Sequence, residues 1–466
     1  MSDKNTAGKP FIIIAGAVVV LAALSFVPWG RLTGNFFKDY DLTEDISTVK
    51  KERGETDEQI DPALAEAEKS LVNTGSSHPE ATHQTDGAAA VPDELMRPAM
   101  NPRQGDLVRF EDYSIDGHGL RHLRAALAGR SSRPARIAVI GDSYIEGDLF
   151  TQDIRSILQA KYGGRGVGYV TPHNIVSGFR QSVRQTDKGW KDFDLRKDTH
   201  DDSKWLSGQR FTGEPGATVT WKASQTPAHV DGWNSATILF RAPKGGVLTT
   251  DTGAGPVEHN VEASPDLQAI TLTGDMTQLT LTNSSAAGLS LLGAWINDAS
   301  GVTVDCMSLR GNSGITHRAV SSTLAREMAK FIDFDLIVVE FGINALSSKQ
   351  KDYTNYGRLM GQTLTALKNA YPNADIVLMG VGDRGQKSGG SVHSLATIEH
   401  MVDAQRETAR KAGVIFWDAR EAMGGNDAVV RWRDDKLINA DYIHLNAKGG
   451  AALAKLFTDA LTDALK

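Results

Sequence analysis

The chain has 466 residues, 40% hydrophobic and 23% charged, which is enough apolar material for two or three ordinary domains. Net charge is −7, but residues 39–100 alone carry fifteen Asp and Glu against five Lys and Arg, so the remainder stands at +3 and does not read as a dedicated nucleic-acid binder. One cysteine, Cys306, excludes an intrachain disulfide and a cysteine-rich metal site.

From the N-terminus, "FIIIAGAVVVLAALSFVPW" (Phe11 to Trp29) contains no charge. As a helix it would rise about 28 Å, against a bilayer core of about 30 Å. Lys4 and Lys9 precede it, whereas Arg31 and Lys38 follow among acids, which favours an inside N-terminus and an exported bulk. No small-x-small cleavage site follows, so residues 1–30 are read as an uncleaved membrane anchor. Residues 31–105, acidic and poor in aromatics, form a flexible linker that buries too little surface to offset chain entropy.

The next stretch alternates strand and helix. "DGHGLRHLRAALAGR" has Leu120, Leu123 and Leu127 at helical spacing. "RIAVI" is an apolar strand of the kind buried in a parallel sheet, and "LFTQDIRSILQAKYGGRG" is a helix ended by Gly163-Gly164. From 173 to 299 helical periodicity gives way to short alternating runs, "ATVTWKA", "SATILFRAP", "GVLTT", "LQAITLTG", "TQLTLTN" and "GLSLLGAWI". Turn residues separate them, the pattern of a β-sandwich or barrel. The βα texture then returns. Strands "GVTVDCMSL", "DLIVVEFG", "DIVLMG" and "VIFWDA" are interleaved with helices "THRAVSSTLAREMAKF", "YGRLMGQTLTALKNAY", "LATIEHMVDAQRETARKAG" and "KGGAALAKLFTDALTDAL". The reading is an α/β domain in two parts, 106–172 and 300–466, around an open parallel sheet, with a β module inserted over 173–299.

Ligands gather at the carboxyl ends of strands in such sheets. There the sequence puts Gly141-Asp142-Ser143, then Arg310-Gly311-Asn312-Ser313-Gly314, then Gly342-Ile343-Asn344. Asp441 and His444 precede the last helix. Serine needs an imidazole to take its proton, and the imidazole needs a carboxylate to fix its tautomer. An oxyanion needs preorganised donors, which the Ser143 and Gly311 backbone N–H groups and the Asn344 amide supply.

These blocks, "GDSYIEGD", "SLRGNSG", "EFGINA" and "DYIH", resemble in order those of the SGNH (GDSL-type) hydrolase superfamily. The resemblance covers residues 106–172 and 300–466. It implies a flavodoxin-like three-layer α/β/α domain with Ser143 as nucleophile, His444 as base, Asp441 as its orienter, and Ser143, Gly311 and Asn344 as the oxyanion hole. The second block leaves Gly311 and Gly314 as alternatives, with Gly311 favoured. The insertion after "VGYVTPHN", expected to be a jelly-roll-like sandwich, is similar to that of two-domain peptidoglycan O-acetylesterases of Gram-negative bacteria. The implied function is a serine esterase that removes O-acetyl groups from a cell-envelope glycan, on the periplasmic side of an inner membrane spanned once by residues 11–29. Two alternatives stand beside it: an O-acetyltransferase working with a membrane acyl-transfer partner, and a non-catalytic glycan-binding scaffold. No zinc or phosphate-loop spacing occurs, and the chemistry requires no metal or cofactor.

Other residues divide between plain and functional readings. Glu146 and Asp148 are surface groups at a helix start or contacts to substrate. His317 is structural. Trp190, Trp205, Trp221, Trp233 and Trp295 fill the core of the module, or, where exposed, would hold a long glycan.

Overall fold

The computed structural model describes residues 106–466; the expected anchor (1–30) and linker (31–105) lie outside the described residues. Among the described residues no helix is long and apolar enough to cross a membrane. The strands are β1 (Glu111–Asp112), β2 (Ala135–Gly141), β3 (Gly166–Val170), β4 (Val183–Asp194), β5 (Gln209–Ala223), β6 (Trp233–Ala242), β7 (Gly246–Asp251), β8 (Pro256–Val261), β9 (Ser264–Met276), β10 (Gln278–Asn283), β11 (Ser290–Asn297), β12 (Val302–Ser308), β13 (Leu336–Glu340), β14 (Asp375–Met379), β15 (Gly385–Ser388), β16 (Ser391–Ser394) and β17 (Ile415–Trp417). The helices are α1 (Arg121–Ala128), α2 (Thr151–Tyr162), α3 (Ser322–Met328), α4 (Thr354–Ala370), α5 (Ile398–Ala412), α6 (Ala419–Met423), α7 (Ala428–Asp434) and α8 (Ala447–Ala464).

Six strands form the α/β sheet in the order β1-β17-β14-β13-β2-β12. All pair in parallel except the edge strand β1. Numbered by first appearance, the parallel strands run 2-1-3-4-5, the doubly wound order whose switch point lies beside β2. Strand β2 is buried throughout. Ile137 and Val139 join the core under α1, α2 and α8, while Ala138 and Ile140 join the core under α3, α4 and α5. Side chains alternate across a strand, so an apolar run covered on both faces is what a central parallel strand requires. The expected helix over "THRAVSSTLAREMAKF" is broken: a 3₁₀ turn covers Ile315–Ala319, and the Ser321 side chain then caps α3 by accepting from the Leu324 N–H.

The β-rich insert begins earlier than expected. Its sheet already starts with β3, which pairs with β11 and not with β2, so it reaches seven residues upstream of position 173. It does not divide into two separate sheets. Nine strands form one hydrogen-bonded set, because β5 is long enough to belong to two neighbourhoods: Thr218–Lys222 pair with β10 and Phe211–Thr212 with β11. Strand β4 lines the other edge of β5 and carries polar residues at most positions, which hid it from a search for apolar alternation. The set folds around its own core, including Val219, Trp221, Phe240, Leu281 and Leu291.

All five tryptophans of the insert are buried, the most accessible being Trp190 at 5%. The exposed-tryptophan platform for glycan is therefore absent. Trp205 and Trp295 instead pack with Tyr169, at ring separations of 5.1–5.8 Å, into the core that holds Ile140 and Phe341. Trp295 Nε1 donates to buried Asp305 Oδ2 at 2.9 Å, and Arg136 pairs with the same carboxylate. Module and α/β domain thus share apolar and ionic contacts.

Candidate active site

Three loops leave the carboxyl ends of β2, β12 and β13, side by side at the switch point. They hold Ser143, Gly311 and Asn344. The fourth component arrives from the turn before α8. Asn446 caps that helix by accepting from the Lys448 and Gly449 N–H groups. Gly450 then lies so close to the loop after Ser143 that a Cβ there would sit 1.7 Å from the Leu149 carbonyl oxygen. A side chain would force helix and loop apart, and glycine permits the approach. This contact brings His444 to Ser143.

His444 Nε2 lies 3.0 Å from Ser143 Oγ. On the other side of the ring, Nδ1 lies 2.8 Å from Asp441 Oδ2. Asp441 Oδ1 accepts from the backbone N–H groups of Ile443 and His444, so the carboxylate is fixed by its own turn. Burial lowers the His444 pKa, but the Asp441 hydrogen bond and charge, aided by Asp142, outweigh it and raise the net value above the ordinary one. Burial likewise pushes Asp441 up, and its bonds to His444 bring it below the usual carboxylate range.

Glycines 311 and 314 differ. Gly314 is buried against Phe341 and Met360, and its N–H donates to Asn312 Oδ1 at 2.8 Å. Gly311 has φ +73°, and a Cβ on it would meet only Arg196. Its N–H and that of Ser143 have no acceptor among the described residues. Asn344 reaches the same corner, but Nδ2 donates to Asp142 Oδ2 at 2.8 Å and to the Asn312 carbonyl at 3.1 Å. Both amide hydrogens are engaged, so donation to a third oxygen takes a shared hydrogen or a displaced partner.

Sequence reasoning assigned no role to Asp142 or Glu340. Asp142 is fully buried and accepts from the Tyr144 N–H as well as from Asn344; burial pushes its pKa up to about 7. Glu340, also buried, lies beneath it, and burial plus the Asp142 charge hold its carboxyl far above the usual range. Glu146 forms an ion pair with Arg310, joining the serine loop to the Gly311 loop. Asp148 is not a surface group. It is buried under Arg155, Arg180, Ser182 and Thr151. His317 is buried, bonded to the Leu206 carbonyl and pushed down to about 4 by burial.

The Arg310 charge acts on His444 against the net upward shift. Arg310→Gln is expected to move the His444 titration, followed by its ring proton resonances, to higher pH. A shift to lower pH would contradict this electrostatic picture.

Residues 276–452 match the family of GDSL-like lipases and acylhydrolases; the match begins inside the β module and does not include Ser143. No curated protein matches the chain. Among solved structures, a peptidoglycan O-acetylesterase is 23% identical with a TM-score of 0.62, covering 76% of this chain and 99% of that one, a likeness of fold. A family two carbohydrate esterase from Cellvibrio japonicus is 12% identical over 61% of this chain and 98% of that one, with a TM-score of 0.27. Residues 276–452 are thus similar to GDSL-like lipases and acylhydrolases, and the chain shares the fold of a peptidoglycan O-acetylesterase.

Proposed function

We propose that the protein is a serine esterase that removes O-acetyl groups from a cell-envelope glycan, peptidoglycan being the substrate favoured. The observation that carries this reading is the continuous relay from Ser143 Oγ through both nitrogens of His444 to Asp441. His444 Nε2 takes the Ser143 proton as Oγ attacks the acetyl carbonyl. The Ser143 and Gly311 N–H groups stabilise the oxyanion, and Asn344 joins them by sharing an amide hydrogen now directed at Asp142 or Asn312. Collapse breaks the ester bond, and the sugar oxygen leaves with the proton from His444. Water, deprotonated by the same nitrogen, then releases acetate from the serine. The choice of glycan draws on the likeness in fold to a peptidoglycan O-acetylesterase. Anchoring by residues 11–29, with the catalytic part on the periplasmic side, belongs to the same proposal. Ser143→Ala is expected to abolish acetate release from O-acetylated peptidoglycan and from a small acetyl ester, with an unchanged melting temperature. Full activity in that variant would refute the mechanism.

A further inference from the structure

We propose that Arg196, contributed by the inserted β module, is a positioning residue for the oxyanion hole and fixes the orientation of the Gly311 N–H. The inference rests on the serine-esterase reading above and goes beyond it, because it gives the module a part in the chemistry.

The donor in question is one half of a peptide unit. The Gly311 N–H and the Arg310 carbonyl belong to the same planar, trans group and point in opposite directions, so fixing one fixes the other. That unit is the central peptide of a turn closed by the Asn312 N–H donating to the Leu309 carbonyl at 3.2 Å. With φ +73° at Gly311, the turn has the third-position conformation of type II. Types I and II differ by a flip of that central peptide, and a flip turns the N–H away. Glycine at the third position makes the flip sterically cheap, since it tolerates either sign of φ. Nothing in the turn's own closing bond opposes it.

Arg196 supplies the missing constraint. Its Nη1 donates to the Arg310 carbonyl at 2.6 Å. The guanidinium is itself held by Asp194, with Nε to Oδ1 and Nη2 to Oδ2, both at 3.0 Å. The Arg196 backbone N–H also donates to Asp194 Oδ1, at 2.9 Å. A planar cation braced on one edge and bonded through the other is a rigid prop, and the charge-assisted bond is stronger than a neutral one. It also withdraws electron density from the amide, which makes the Gly311 N–H a better donor. The Arg310 side chain is tied separately to Glu146, so side chain and carbonyl of one residue are held from two directions.

The test uses a soluble aryl acetate, whose turnover reads the chemical step without a polymeric glycan. Arg196→Ala is expected to lower kcat by about ten- to a hundredfold with KM within about twofold, less than the full loss of an oxyanion donor. Arg196→Lys, which keeps a cationic donor, recovers most of the rate. Asp194→Asn loosens the brace and gives an intermediate kcat, and it decides the question if Arg196→Ala does not fold. Unchanged kcat in a folded Arg196→Ala, or in Asp194→Asn if that variant alone folds, would overturn the proposal. So would a loss carried by KM alone. Failure of the underlying reading looks different: Ser143→Ala would remain active.

Discussion

Asp441→Asn is expected to lower kcat by about four orders of magnitude near neutral pH, with little change in KM. Asp441 Oδ2 accepts a hydrogen bond from His444 Nδ1, which leaves Nε2 free of a proton and directed at Ser143. An asparagine in the same place can turn its NH₂ toward Nδ1. That arrangement favours the tautomer with hydrogen on Nε2, which has no lone pair to receive the serine proton. The size is nearly neutral, so substrate binding survives while the chemical step does not. The residual activity also carries a sign. Asp441 raises the His444 pKa against burial, so its neutralisation lowers that pKa and moves the acid limb of the rate profile to lower pH. Steady-state kinetics across pH measure both effects. A loss below tenfold, or an acid limb moved to higher pH, would show that Asp441 does not orient the base.

Glu340→Gln is expected to stabilise the fold, increasingly so as pH rises. Glu340 ends β13 beneath the site, 2% exposed, against the equally buried Asp142. Its folded pKa is raised well above the ordinary value, by burial first and by the Asp142 charge second. Above the unfolded pKa the folded state therefore binds more protons than the unfolded one, and stability falls as pH rises toward the folded pKa. The slope is up to about 1.4 kcal/mol per pH unit for this one group. Glutamine keeps the shape and removes the titration. The difference in stability between variant and parent should be small near pH 5 and grow toward pH 8, read from denaturant melts at both values. Asp142, pushed up to about 7, adds its own decline, and because its charge also raises Glu340 the two carboxyls titrate as a pair, so the difference reads the Glu340 titration together with its effect on Asp142. A difference independent of pH would mean that Glu340 is ionised in the folded state.

Residues whose pattern reflects burial were legible in the sequence. Strands β2 and β13 read clearly because both faces are covered, which leaves an unbroken apolar run. The rim loops followed from strand order alone, since ligand sites lie at the carboxyl ends. Strand β4 did not read, because it lies along one edge of β5 and presents Arg, Asp and Lys to solvent. Nor did α7, a seven-residue helix without a side-chain cap. Pairings across the chain left no local trace: Arg196 meets Arg310 from 114 positions away, and Asp142 meets Glu340 from 198. The insert tryptophans were read as core residues and are buried, but that Trp205 and Trp295 join the core shared with the α/β domain was not visible, because alternation along a strand does not say which partner covers each face.

In the proposed reaction Ser143 forms the acyl-enzyme. The most direct test of this step is to quench the protein during turnover of an acetyl ester and map the acetyl group by peptide mass spectrometry. An acetyl group is expected on the Ser143 peptide and is expected to be absent in Ser143→Ala. Turnover with no acetyl on Ser143, or with the label on another residue and undiminished in Ser143→Ala, would contradict it.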